Sequence, residues 1–121
     1  MDLPRAIILF GHGSRDPLWR LPMDAVALRI RSQHPGTPVR VAFLELEQPD
    51  LASAANDLSG AGARQITVVP MFLGTGRHAR EDLPLLIDAV RLAHPDIEFT
   101  LQPAVGEDPR LLDLLAKIAL A

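Results

Sequence analysis

Two histidines stand where chemistry is easiest to place. His12 lies in Phe10-Gly11-His12-Gly13-Ser14-Arg15-Asp16, between two glycines at the end of an apolar run. His78 lies in Gly74-Thr75-Gly76-Arg77-His78-Ala79-Arg80-Glu81-Asp82, again beyond an apolar run. A neutral imidazole holds a divalent first-row metal and also accepts a proton near pH 7. Glu45, closing Val39-Arg-Val-Ala-Phe-Leu-Glu45, adds a carboxylate, with Glu47 its competitor two residues on. There is no cysteine, which excludes thiolate metal sites, thiol nucleophiles and disulfides together. Metal chemistry here must run on imidazoles and carboxylates. Plainer readings stand beside these: a turn histidine for His12, a first-turn helix residue for His78, a solvated strand end for Glu45.

The other two histidines read differently. His34 and His94 each end a helical pattern immediately before a proline. There an imidazole meets free carbonyls and the negative end of the helix dipole, a structural role.

The elements that must position the first pair follow from the pattern. Ala6–Phe10 is a continuous apolar run ending at glycine, a strand buried on both faces. A helix is expected from about Pro22 to Gln33, a strand over Val39–Glu45, a helix from Pro49 closed by glycines, and a strand over Ile66–Leu73. A third helix is expected from about Arg80, a short edge strand over Ile97–Leu101, and a last helix with Asp108 as N-cap and Pro109 at its first position. Leu111, Leu112, Leu115 and Ile118 of that last helix exceed one face and suit core or dimer contact, with core the expectation for most.

Strand and helix alternating four times predict an α/β fold: a three-layer sandwich around a four-stranded parallel sheet, with right-handed crossovers. With strand order 2-1-3-4, the first and third strands are neighbours at the point where the order reverses, and ligands bind beyond the carboxyl ends of strands at such a point. His12 and His78 then face each other, with Glu45 on the far side of His12. A weak internal echo, "LPMDAVALRIRSQHP" against "LPLLIDAVRLAHP", fits two βαβ halves or shared helix punctuation equally well.

Bulk properties narrow the class. The 121 residues, 48% hydrophobic, suit one domain spanning 1–121. The net charge is −3 and no basic run or aromatic-basic interleaving appears, so a nucleic-acid partner is not expected. An acidic ligand would have to be met by local arginines and backbone N–H groups. The start MDLPRAIILF lacks a secretory pattern and no stretch approaches a membrane span, so the expected compartment is the cytoplasm, with no membrane partner.

Nucleotide readings fail on their residues. No GxxxxGK[ST] loop is present, so no nucleotide cofactor is expected. Gly74-Thr-Gly-Arg-His-Ala79 imitates a dinucleotide fingerprint, but the following strand ends in Leu101-Gln102-Pro103 without the acid a ribose needs. Phosphohistidine chemistry would want an arginine before His12, where Gly11 stands, and no strained elbow surrounds Ser14.

Four segments, "ILFGHGSRDP", "VAFLELEQPDL", "VVPMFLGTGRHAREDLP" and "VGEDPRLLDLL", resemble in order and spacing the small CbiX-type chelatases of the sirohydrochlorin chelatase family, over effectively the whole chain. The specific feature is G-H-G-S-R paired with G-x-H-x-x-x-D-[IL]-P. The resemblance implies a chelatase-like, flavodoxin-like half. It also implies ATP-independent insertion of Co²⁺ or Fe²⁺, the metal being substrate, into sirohydrochlorin or a close precursor, on the routes to cobalamin and sirohaem. It places the catalytic, metal-binding pair on His12 and His78, and it implies a homodimer, since longer relatives carry two such units in tandem. Long forms often end in a His-rich tail, whereas this chain ends KIALA, so a terminal metal store is not implied.

For that chemistry Glu45 is the expected third ligand or proton sink. Sirohydrochlorin carries a fringe of carboxylates, which Arg15, Arg77 and Arg80 can meet with forked hydrogen bonds. Ser14 and the N–H groups of Gly13, Gly74 and Gly76 add donors. A non-catalytic carrier of metal or tetrapyrrole is the alternative from another class, and the sequence does not separate the two. Nor does it choose between cobalt and iron, whose ligand preferences are close.

Overall fold

The computed structural model describes residues 4–121. Four parallel strands, β1 (Arg5–Gly11), β2 (Val39–Phe43), β3 (Gln65–Pro70) and β4 (Glu98–Leu101), form one sheet in the order β2-β1-β3-β4. The helices are α1 (Leu21–Gln33), α2 (Leu51–Gly60), α3 (Arg77–Ala93) and α4 (Pro109–Leu120), the last preceded by a 3-10 turn over Val105–Glu107. The expected fold class and strand order hold.

Handedness explains the layers. The step from β1 to β2 runs one way across the sheet, and the steps from β2 to β3 and on to β4 run the other way. Right-handed crossovers therefore place α1 on one face and α2 with α3 on the opposite one. The cores agree: Leu9, Val39 and Phe43 pack with Met23 and Ala27 of α1. Ala6, Ile8, Phe10, Ile66 and Val68 pack with α2 and α3. β1, paired on both sides, sends alternate residues into both cores, which is why its sequence is a continuous apolar run. Phe10 and Ile8 are fully buried, each worth about 1.5–3 kcal/mol relative to an exposed side chain.

Three expectations are corrected. β3 stops at Pro70 rather than Leu73, and α3 begins at Arg77, ahead of Arg80, so His78 stands on the first turn of a helix rather than in a loop. β2 stops at Phe43, which leaves Glu45 in a bend beyond the strand. The last helix buries none of its residues: Leu112 is 49% exposed and Ile118 62%. Both faces of the sheet are already covered when the chain reaches α4, which leans on the 3-10 turn alone among the elements it contacts closely.

The histidine pair at the switch point

Glycine shapes the His12 loop at two points. Gly13 has φ +100°, and a Cβ there would sit 1.8 Å from the Glu45 carbonyl oxygen. Gly11, the last residue of β1, faces the side chains of Met23 and Trp19. Between them His12 is fixed to the extension of β2: its carbonyl accepts from Glu45 N–H at 3.1 Å, and Gly11 carbonyl accepts from Leu44 N–H at 2.9 Å. The loop behaves as a short prolongation of the sheet pairing. Gly74 and Gly76, by contrast, have open space around them.

His78 arrives from β3 by way of the Gly74-Thr75-Gly76 link and the start of α3. The two imidazoles meet edge to face, ring centroids 6.3 Å apart and planes at 88°. His12 Nε2 lies 3.0 Å from Glu45 Oε1, and His78 Nε2 contacts Asp82, one helical turn further along α3. A carboxylate only accepts, so each contact calls for a proton on Nε2 and leaves Nδ1 as the lone-pair nitrogen. A carboxylate behind a histidine in this way fixes its tautomer and ring orientation. All four side chains are partly open to solvent.

Glu45, not Glu47, is the carboxylate on His12. Glu47 is turned away, accepting from Ser14 N–H at 3.0 Å. Among the described residues, no group of three or more His, Asp or Glu side chains is already gathered for an ion. The two imidazoles stand side by side, and one oxygen of Glu45 is taken up by His12.

The expected anchors divide. Arg15 lies exposed in the His12 loop, and Ser14 Oγ accepts from Asp16 N–H at 3.0 Å. Arg77 is held by Glu81 at 3.0 Å, one helical turn on. Arg80 and Gly74 line a cleft of about 490 Å³ with Phe72, Leu83, Leu101 and Glu107, beyond the ends of β3 and β4. Gly76 caps α3 with extended backbone and leaves its first amides free of side-chain caps.

Sequence reasoning missed the roles of Asp82 and Glu47. Asp82 was legible as H-x-x-x-D, since residues four apart share a helix face. That signal required placing His78 inside the helix. Nothing local marked Glu47, whose partners Ser14 and Arg20 are distant in sequence.

Fold and site together define a parallel α/β module with an imidazole pair at its topological switch point. The CbiX family profile matches residues 6–119, and the chain belongs to that family. A sirohydrochlorin cobaltochelatase of Methanothermobacter thermautotrophicus is 30% identical over 124 aligned positions, covering 90% of this chain and 86% of the relative. One of Methanococcoides burtonii is 35% identical over 81 residues, covering 67% of this chain and 62% of the relative. Among solved structures, a protein described as a cobalamin-biosynthesis CbiX protein from Marinobacter aquaeolei VT8 superposes with TM-score 0.83 at 33% identity, covering 96% of this chain and 94% of that one. The sirohydrochlorin chelatase SirB of Bacillus subtilis subspecies spizizenii, in complex with cobalt, gives 0.76 at 29% identity. The match covers 95% of this chain but 49% of SirB.

Proposed function

We propose that this protein inserts a divalent metal, Co²⁺ or Fe²⁺, into sirohydrochlorin or a close precursor, without ATP, in the cytoplasm. The observation that carries the reading is the preset pair His12 and His78, each backed by a carboxylate at one sheet edge. The named activity of the relatives and the cobalt complex of SirB support the choice of metal and ring. The absence of a phosphate-binding Gly-Lys loop fits the lack of a nucleotide step.

Insertion forms metal–nitrogen bonds to the ring and releases two pyrrole N–H protons. His12 and His78 hold the ion through nitrogen lone pairs, loosely enough to surrender it because no complete cage surrounds it. As the ion passes to the ring, each of the two freed lone pairs accepts one of the two protons. The resulting imidazolium rings lie against Glu45 and Asp82, whose charges stabilise them. Glu45 is the third ligand or proton sink once it swings from His12. Arg15, Arg77, Arg80 and Ser14, with the amides of Gly13, Gly74 and Gly76, engage the carboxylates of the ring. The cleft beside Arg80, where Phe72, Leu83 and Leu101 stand among polar neighbours, suits the flank of a ring fringed with carboxylates.

The protein works as a homodimer in this reading, supported by the exposed apolar face of α4. It uses neither nucleic acid nor a membrane, and among the described residues no helix is long and apolar enough to cross one. The deciding experiment follows sirohydrochlorin absorbance with Co²⁺ and catalytic amounts of protein. Many turnovers per chain are expected, whereas uptake that stops at one equivalent identifies a carrier and sinks the enzyme reading.

A further inference from the structure

Glu47 is the least exposed carboxylate of the ion pairs around the site, its side chain 12% accessible. A carboxylate so enclosed is costly unless its oxygens are satisfied. One oxygen accepts from Ser14 N–H at 3.0 Å, and the other lies 3.8 Å from Arg20 Nη1. Arg20 is itself held from three sides. It makes a two-pronged pair with Asp24 at 3.1 and 3.2 Å, lies 4.8 Å above the Phe43 ring and donates to Gln48 carbonyl at 3.4 Å. The Glu47 carboxylate thus joins the loop after β1, the start of α1 and the loop after β2.

We infer that Glu47 is a positioning residue for the His12–Glu45 pair, acting through the backbone of Ser14. The His12 loop is clamped on both sides of Gly13. Upstream, His12 carbonyl accepts from Glu45 N–H; downstream, Ser14 N–H donates to Glu47. The two clamps come from one tight reversal: Glu47 N–H donates to Glu45 carbonyl at 2.8 Å, with Leu46 between them at φ +68°. A three-residue reversal with positive φ at a branched apolar residue is the strained hand of the γ-turn, and such strain persists only where its surroundings enforce it. The reversal turns two glutamates to separate tasks. Glu45 meets the imidazole, and Glu47 fixes the loop that presents it. The side-chain bond to the Ser14 amide is the downstream clamp, completing what the Glu45 N–H bond to His12 carbonyl begins upstream.

The inference rests on the reading that His12 does the chemistry, and its test therefore reads His12 without tetrapyrrole. Ring ¹⁵N resonances of His12 and the Ser14 amide proton are recorded metal-free in wild type, Glu47→Ala and Glu47→Gln, followed by titration with Co²⁺ alone. Glutamine keeps an oxygen for Ser14 N–H and alanine does not. Glu47→Ala is expected to shift both signals and weaken Co²⁺ binding about 10-fold, the scale of lost outer-shell support, while Glu47→Gln stays close to wild type. Unmoved His12 signals in Glu47→Ala overturn the proposal. So does a Glu47→Gln variant as impaired as Glu47→Ala, which assigns the residue to charge balance with Arg20 instead. A wild type that holds its His12 geometry but never turns over refutes the chelatase reading and leaves the NMR comparison decisive for Glu47.

Discussion

The α-carbon of Gly13 stands so near the carbonyl of Glu45 that a methyl group added to it would lie 1.8 Å from that oxygen. Backbone cannot yield there as the end of a flexible side chain would, and φ +100° already disfavours an L side chain. Gly13→Ala is expected to lower stability by about 1–3 kcal/mol and to displace His12 from Glu45. Gly74→Ala and Gly76→Ala, with open space and no positive φ, should leave thermal unfolding unchanged. Melting curves with the Co²⁺ titration separate the cases, and a tolerated Gly13→Ala refutes the close-packed loop.

The four histidines should divide two against two. His12→Ala and His78→Ala are expected to abolish most insertion with the fold intact. His34→Ala, at the end of α1, should be nearly silent. His94 Nε2 lies 2.8 Å from Asn56 Oδ1 and links α3 to α2, so His94→Ala should cost about 1 kcal/mol of stability and no activity. Insertion rates and denaturant midpoints on the same four variants check this. Equal damage from His34→Ala and His12→Ala contradicts the division.

Asp82 is expected to act through His78. Asp82→Ala removes the group that fixes the His78 tautomer and should lower the insertion rate about 10-fold or more, with little change in melting temperature. Asp88→Ala, further along the same helix and 3.8 Å from Arg91, is the control and should alter the rate little.

Acid should loosen α2 and α4 at their caps. Asp50 caps α2 by accepting from Ser53 N–H at 2.8 Å, and that bond holds its carboxyl below the usual value. Asp108 caps α4, and hydrogen bonds from Arg110 hold its carboxyl at about 2. Both acids bind protons more weakly folded than unfolded. Their contribution is therefore complete above the ordinary value of 3.8 and is lost as pH falls through the lower folded values, for Asp108 about 2. Asp50→Ala should cost about 1 kcal/mol near neutrality. Melting temperatures from neutral pH down to the folded value of Asp108 should fall less steeply in that variant than in wild type.

A homodimer using α4 should be sensitive to charge on its exposed apolar face. Ile118→Glu, at a position 62% exposed in the single chain, is expected to leave the fold unchanged and yield monomers by sedimentation equilibrium. A wild type already monomeric at micromolar concentration refutes the pairing.

The strand order and the meeting of His12 with His78 were legible because chain alternation, crossover handedness and the switch-point rule each depend on pattern alone. Pro109 and Asp108 marked α4 correctly for the same reason. The start of α3 was not legible: Gly74, Thr75 and Gly76 read as loop, and nothing before Arg77 supplies a side-chain cap to announce the helix. Hence His78 read as a loop residue and Asp82 received no role. The position of α4 was hidden for another reason. Its leucines carry an apolar face in either setting, and only the topology tells that both sides of the sheet are filled before α4 is reached.

β1 is one of the two interior strands, paired on both edges as β3 is, and His12 is the next residue after it. Its amides should be among the slowest to exchange with deuterium, opening only when the whole molecule unfolds. The first imidazole thus follows an interior strand, whereas His78 rides the opening turn of a helix, where fraying is expected to begin. If the pair hands over an ion as proposed, the gap between the rings is expected to widen from the His78 side, at a helix end, rather than from the strand that carries His12.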